Sequence, residues 1–153
     1  MRCEIEEYTP RRATDGSAGY DIYSPIDADI VPGEWTVIDT LVSFDGTEHP
    51  MIKMYQMTKE GIVPVCAYMD KWCMKIYPRS GLSFKTAFNI INTVPIIDMD
   101  YRDTIKLKVT SEVPISIKKG DRIAQGIFEP FLVLDDEIPP TEERKGGFGS
   151  TGV

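Results

Sequence analysis

Ile105-Lys106-Leu107-Lys108-Val109-Thr110 alternates an apolar residue with a polar one for three full periods. In an extended chain successive side chains point to opposite faces, so Ile105, Leu107 and Val109 share one face and Lys106, Lys108 and Thr110 the other. The same period recurs along the chain. Trp72, Met74 and Ile76 alternate with Cys73, Lys75 and Tyr77, and Ile115 and Ile117 flank Ser116. Eleven prolines and twelve glycines cut the sequence into short pieces. No long stripe at i, i+3, i+4 survives them, and at most one short turn of helix is expected, after Ser80. Period two, β-branched residues and frequent breakers together predict an all-β sandwich or barrel.

The 153 residues suffice for one domain with a hydrophobic core. Seventeen basic against 24 acidic residues give a formal charge of −7, which argues against general binding to a nucleic-acid backbone. An acidic protein can still act on a nucleotide if its pocket concentrates arginines. Cys3, Cys66 and Cys73 form no CxxC pair, and their odd number argues against a disulfide framework. His49 is the single histidine, so a zinc site or a Ser-His-Asp or Cys-His apparatus is hard to build. These four residues read as packing or surface positions. The N-terminus lacks an apolar targeting core, and no apolar run reaches the roughly 18 residues of a membrane span. A reducing compartment is expected: the cytoplasm, or a host cell's cytoplasm if the source is viral.

Arg144-Lys145-Gly146-Gly147-Phe148-Gly149-Ser150-Thr151-Gly152 packs four glycines, an aromatic ring, two hydroxyls and a guanidinium into nine residues. Glycine lets successive backbone N–H groups turn toward an anion. Arginine can grip a phosphate with two parallel hydrogen bonds, and Phe148 offers a face on which a base could stack. A run of this kind can also be a plain disordered terminus, but the embedded Arg144 and Phe148 argue against that reading. It is not a P-loop, because no lysine follows the glycines.

Four further blocks precede it: Ala18-Gly19-Tyr20-Asp21, Pro78-Arg79-Ser80-Gly81-Leu82-Ser83, Ile97-Asp98-Met99-Asp100-Tyr101-Arg102 and Gly120-Asp121-Arg122-Ile123-Ala124-Gln125. With the tail, they resemble the five motifs of the trimeric dUTP diphosphatase (dUTPase) family, in the family's order. The resemblance implies a jelly-roll-like β-barrel assembled as a homotrimer, with sites between subunits. It implies hydrolysis of dUTP to dUMP and pyrophosphate by water attack on the α-phosphorus, assisted by Mg²⁺. Asp98 falls on the family's catalytic aspartate, a carboxylate able to take the water's proton. Tyr101 falls on the tyrosine under the sugar, where a ribose 2′-OH would collide, and Asn92 on an amide that reads uracil. Asp21 falls on the aspartate that holds Mg²⁺ through water. Arg79, Ser80 and Gly81 fall on the phosphate motif, Gln125 on a glutamine that meets phosphate or metal-bound water, and Arg122 on a structural arginine tying subunits together. In the tail, Arg144 is expected at the γ-phosphate and Phe148 over the uracil, with Gly149 and Ser150 beside it. Three departures stand out. Pro95 and Asp103 occupy positions where the family commonly has glycine, and the spacing from Arg144 to Phe148 is one residue shorter than usual.

The join from Asp45 to Lys71 is on the order of 20 residues longer than a common hairpin loop. Within it, Met51–Met57 and Ile62–Met69 flank Thr58-Lys59-Glu60-Gly61, a pattern that reads as an inserted β-hairpin. The expected organisation is a barrel over 1–143, carrying a hairpin at about 45–71, and a Gly-rich tail over 144–153. Two rivals remain open: a dCTP deaminase-like relative sharing the barrel, and a regulatory module that binds a protein partner through the insertion.

Overall fold

The computed structural model describes residues 1–44, 71–141 and 146–147, together with the backbone of 51–58 and 61–68. Its main sheet has four antiparallel strands in the order β10 (Ile96–Asp98), β8 (Trp72–Pro78), β13 (Arg122–Pro130) and β2 (Tyr20–Tyr23). A second sheet runs β4 (Thr36–Asp39), β11 (Lys106–Thr110), β9 (Asn89–Ile90). Three two-stranded ribbons complete the fold: β1 (Arg2–Cys3) with β5 (Val42–Ser43), β3 (Ala28–Ile30) with β12 (Ile115–Ile117), and β6 (Met51–Thr58) with β7 (Gly61–Tyr68). The architecture is an all-β, jelly-roll-like barrel.

The core lies where the alternation puts it. Ile105, Leu107 and Val109 are fully buried, and Lys106 and Lys108 between them are exposed. Trp72, Met74 and Ile76 point inward from β8 and meet Ile22, Ile38 and Ile123 in one apolar cluster. The strand β8 departs from strict alternation at its start, where Cys73 on the other face is buried too. Trp72 packs edge-on against Phe44 and Phe128, with ring centroids 5.2 Å away in each case. This aromatic cluster anchors the strand at the base of the long join.

The helix expected after Ser80 is α1 (Ser80–Thr86), and it ends abruptly. Ala87 turns into the left-handed region at φ 52°, and its N–H bonds the carbonyl of Ser83. Hydroxyls satisfy the end of the helix: Thr86 donates to the Leu82 carbonyl, Ser83 to the Phe88 carbonyl, and Ser111 to the Thr86 carbonyl. A short 3-10 turn over Glu6–Tyr8 has no counterpart in the sequence reading. β6 and β7 pair in register from Met51 opposite Tyr68 to Thr58 opposite Gly61. Among the described residues no helix is long and apolar enough to cross a membrane.

Candidate active site

Pairing of β13 with β2 sets Gln125 directly opposite Asp21. Gly19 stands two residues earlier, and a Cβ there would lie 2.6 Å from the Gln125 amide oxygen. Only glycine lets that amide lie across the strand. The Asp21 carboxylate is 3% exposed and is shared by two cations. Arg79 donates to its Oδ1, and Arg122 donates to Oδ2 at 3.2 Å. The carboxylate thereby holds two like charges side by side, and each guanidinium keeps further donors for another anion. Both arginines line a hollow of about 270 Å³ with Gly81, Leu82, Ile117 and Asp121. Ser80 opens α1 beside it. Two guanidiniums, a hydroxyl and a glycine backbone are donors of the kind a polyphosphate accepts from. Arg122 forms this pair with Asp21 of its own chain.

A second hollow, of about 220 Å³, is lined by Asn92, Pro95, Ile96, Ile97, Tyr101, Lys106 and Gly147. The loop between β9 and β10 shapes it. Thr93 sits at φ 60°, an uncommon state for a β-branched residue, while its N–H bonds the Ile90 carbonyl. Pro95 fits its place because the backbone group used there is its carbonyl, which accepts the Ile76 N–H at 3.0 Å. Tyr101 is 6% exposed and donates its hydroxyl to the Thr104 carbonyl at 3.1 Å. Gly147 lies against its ring, where a Cβ would come within 2.6 Å of Tyr101 Cε2. An amide, a buried ring and aliphatic walls suit a planar polar base with its sugar.

Asp98 ends β10, opposite Cys73 across the ladder. It is half-buried and lines a third, open hollow of about 630 Å³ with Lys71, Met99, Asp100 and residues of the segment after β13, including Phe131 and Glu137. The Tyr101 N–H bonds the Asp98 carbonyl, so the carboxylate and the ring flank one tight turn. Arg102, which the motif reading passed over, staples this turn by donating to the carbonyls of Met99 and Tyr101. The neighbouring Cys73 thiol is pushed up by burial. Pro78, next to Arg79, lies five residue steps beyond Cys73 along β8. At a strand's rise that is about 17 Å. One chain therefore holds Asp98 well away from its own phosphate receptor. Arg144, Phe148, Gly149 and Ser150 lie outside the described residues.

Among the described residues no three His, Cys, Asp or Glu side chains gather as a cation cage. Asp21, with both oxygens engaged by arginine, fits a divalent cation only through water. A carboxylate has about four lone-pair sites, and two are used. Mg²⁺ on a nucleotide keeps several waters and needs no more than that from the protein.

A barrel with an arginine-lined hollow and, apart from it, a hollow lined by an amide and a buried ring has the chemistry of a nucleotide-binding protein. The sequence comparisons narrow the class. A family model described as dUTPase matches residues 50–152. The chain is 36% identical to the deoxyuridine 5′-triphosphate nucleotidohydrolase of Lactococcus lactis, over 94% of its own length and 87% of that protein's. The chain belongs to the dUTPase family. Among solved structures, the dUTPase of Streptococcus mutans superposes with a TM-score of 0.60 at 24% identity, covering 87% of this chain and 93% of that one. A mutant dUTPase from phage phi11 of S. aureus, described with a coordinated structural Mg(II) ion, gives a TM-score of 0.61 at 20% identity, covering 90% and 91%. At these identities the likeness is one of fold.

Proposed function

We propose that this chain is a dUTP diphosphatase that hydrolyses dUTP to dUMP and pyrophosphate. The observation that carries the reading is 36% identity, over nearly the full length, to a named deoxyuridine 5′-triphosphate nucleotidohydrolase, joined to two separate hollows suited to phosphate and to base. Uracil enters the pocket of Asn92, whose amide offers both a donor and an acceptor. Tyr101 lies under the deoxyribose. Arg79, Ser80, Gly81 and Gln125 take the phosphates, and Arg144 and Phe148, with Gly149 and Ser150, complete the site from the tail. Asp98 orients a water and takes its proton as the oxygen attacks the α-phosphorus, and the α–β bridging oxygen departs with pyrophosphate. Asp21 would hold Mg²⁺ through water, and the ion would supply charge neutralisation of the triphosphate.

The separation of Asp98 from Arg79 supports a homotrimer in which each site draws Asp98 and Tyr101 from one chain and the arginine receptor from another. Bare apolar side chains give such an assembly its material: Phe84 is 95% exposed, Leu132 97% and Ile138 92%. The barrel over 1–143 and the tail over 144–153 divide the work between scaffold and closure. The insertion at about 45–71 lies outside all five motifs and is free to serve a protein partner. The cytoplasm is the compartment this chemistry fits, with no part for membrane or nucleic acid.

Pyrophosphate release from dUTP, dCTP and UTP by the purified protein tests the reading. Release from dUTP with dCTP left intact is expected. Ammonia from dCTP would assign the deaminase relative instead, and binding of dUTP without hydrolysis would leave a regulatory module.

A further inference from the structure

The geometry points to Asp39 as a positioning residue for the sugar, acting through Thr104 on the ring of Tyr101. The inference rests on the reading of Tyr101 as the floor under deoxyribose and adds what fixes that floor. Asp39 closes β4, far from the motifs in sequence. Its Oδ2 accepts the Thr104 hydroxyl at 2.8 Å, and its Oδ1 accepts the Leu41 N–H at 3.0 Å. Lys106, on the wall of the base-and-sugar hollow, brings its ammonium to 3.9 Å from the same Oδ2. Thr104 in turn offers its carbonyl to the Tyr101 hydroxyl at 3.1 Å. A continuous path of hydrogen bonds thus runs from Asp39 to the ring.

The path is braced at its outer end. Leu41 holds φ 57°, a costly state for a branched side chain, and the Asp39 carboxylate secures it through an Asx-type bond to the residue two ahead. Next to it, Thr40 donates both its N–H and its hydroxyl to the Ile105 carbonyl, and the Ile105 N–H returns to Val42. The kinked β4–β5 junction therefore grips 104–106 residue by residue. Thr104 is the only one of these anchors that reaches the tyrosine.

The chemical consequence concerns the 2′ position. With its hydroxyl held by Thr104 and its ring edge against Gly147, Tyr101 cannot sink to admit a 2′-OH. Loss of the Asp39–Thr104 bond frees the 102–104 turn, lets the ring drop and weakens selection against ribose. One hydrogen bond of this kind alters discrimination by roughly threefold to tenfold.

The test compares kcat/KM for dUTP and for UTP in Thr104→Val, Thr104→Ser and Asp39→Asn. Thr104→Val keeps shape and removes the hydroxyl, so the dUTP-to-UTP ratio should fall roughly threefold to tenfold. Thr104→Ser keeps the donor and should hold the wild-type ratio. Asp39→Asn, which leaves one oxygen for two donors, should also lower the ratio, and the double variant with Thr104→Val should add little beyond either single change. An equal loss on both nucleotides, or an unchanged ratio in a folded Thr104→Val protein, would overturn the inference while leaving the dUTPase reading intact. Failure of the wild type to hydrolyse dUTP would overturn both.

Discussion

At the scale of single residues, Asp21 matters most, since it fixes where two positive charges stand. Arg79 and Arg122 would repel one another without it, and Asp21→Asn leaves two guanidiniums against one acceptor. This variant should lose about 1–3 kcal/mol of stability, read from denaturant unfolding, and raise the KM for dUTP as Arg79 drifts. Unaltered KM would show that Arg79 is oriented by something else. Asp98→Asn makes the opposite forecast: the amide keeps the shape but takes no proton. dUTP should bind normally while kcat falls by about 10²–10⁴-fold, and turnover within tenfold of wild type would remove Asp98 as the base. Block spacing that runs ungapped from Pro78 through Asp98 is what marked Asn92 and Asp98 as candidates in the sequence, with Tyr101 following in the same block. It did not reveal the arginine pair on Asp21, which depends on strands 58 and 101 residues distant in sequence closing on one carboxylate. Thr104 and Asp39 escaped for the same reason, since they meet across 65 residues, while Arg102 bonds local carbonyls whose placement depends on the turn after Asp98.

Among the elements, α1 carries a correctable strain. Its seven residues stop at Ala87, whose φ of 52° suits glycine, and the Ala87 side chain is exposed. Ala87→Gly should stabilise the protein by up to about 1 kcal/mol, because relief of the left-handed backbone exceeds the entropy glycine adds to the unfolded chain. A lower melting temperature in the variant would refute that balance. The ribbon of β3 and β12 contains a pH-dependent tie. Asp27 accepts the Lys119 N–H at 2.8 Å and faces the Lys118 ammonium, and these bonds hold its carboxyl below the ordinary value of 3.8. A lowered folded pKa means stability present above that ordinary value and lost as pH falls through the folded one. The melting-temperature advantage of wild type over Asp27→Asn should therefore be full near neutrality and shrink from pH 5 to pH 3; a constant difference would contradict it. Alternation disclosed β8, β11 and β12 from sequence, as period two marks a half-buried strand. The left-handed residues Leu41, Ala87 and Thr93 were not foreseeable, because none is a glycine or asparagine, the residues that mark such positions in a sequence.

For the whole molecule, the insertion and the assembly make separable forecasts. Lys71 lines the hollow of Asp98, so an excision has to end at residue 70 to spare the site. Replacing 45–70 by a short turn should leave dUTP hydrolysis largely intact, since loop length costs only about 0.6 kcal/mol per doubling and β6 and β7 hydrogen-bond only to each other among the described strands. Abolished hydrolysis in a folded protein would put the hairpin in the active site. The assembly is tested by mixing two dead proteins. Asp98 pairs with Cys73 near the start of β8 and Arg79 follows Pro78 at its end, about 17 Å of strand away, which sets their backbones well apart in one chain. If each site takes Asp98 from one subunit and Arg79 from its neighbour, neither Asp98→Asn nor Arg79→Ala alone should turn over. Unfolded together in equal amounts and refolded, they should form mixed trimers in which half the base positions and half the receptor positions are intact. Random assembly then leaves about a quarter of the sites with both, and about a quarter of wild-type activity should return. Sites built within single chains would give no recovery, because no chain in the mixture carries both groups. Size-exclusion chromatography of the mixture, with one variant bearing an affinity tag, separates that outcome from a failure to exchange subunits.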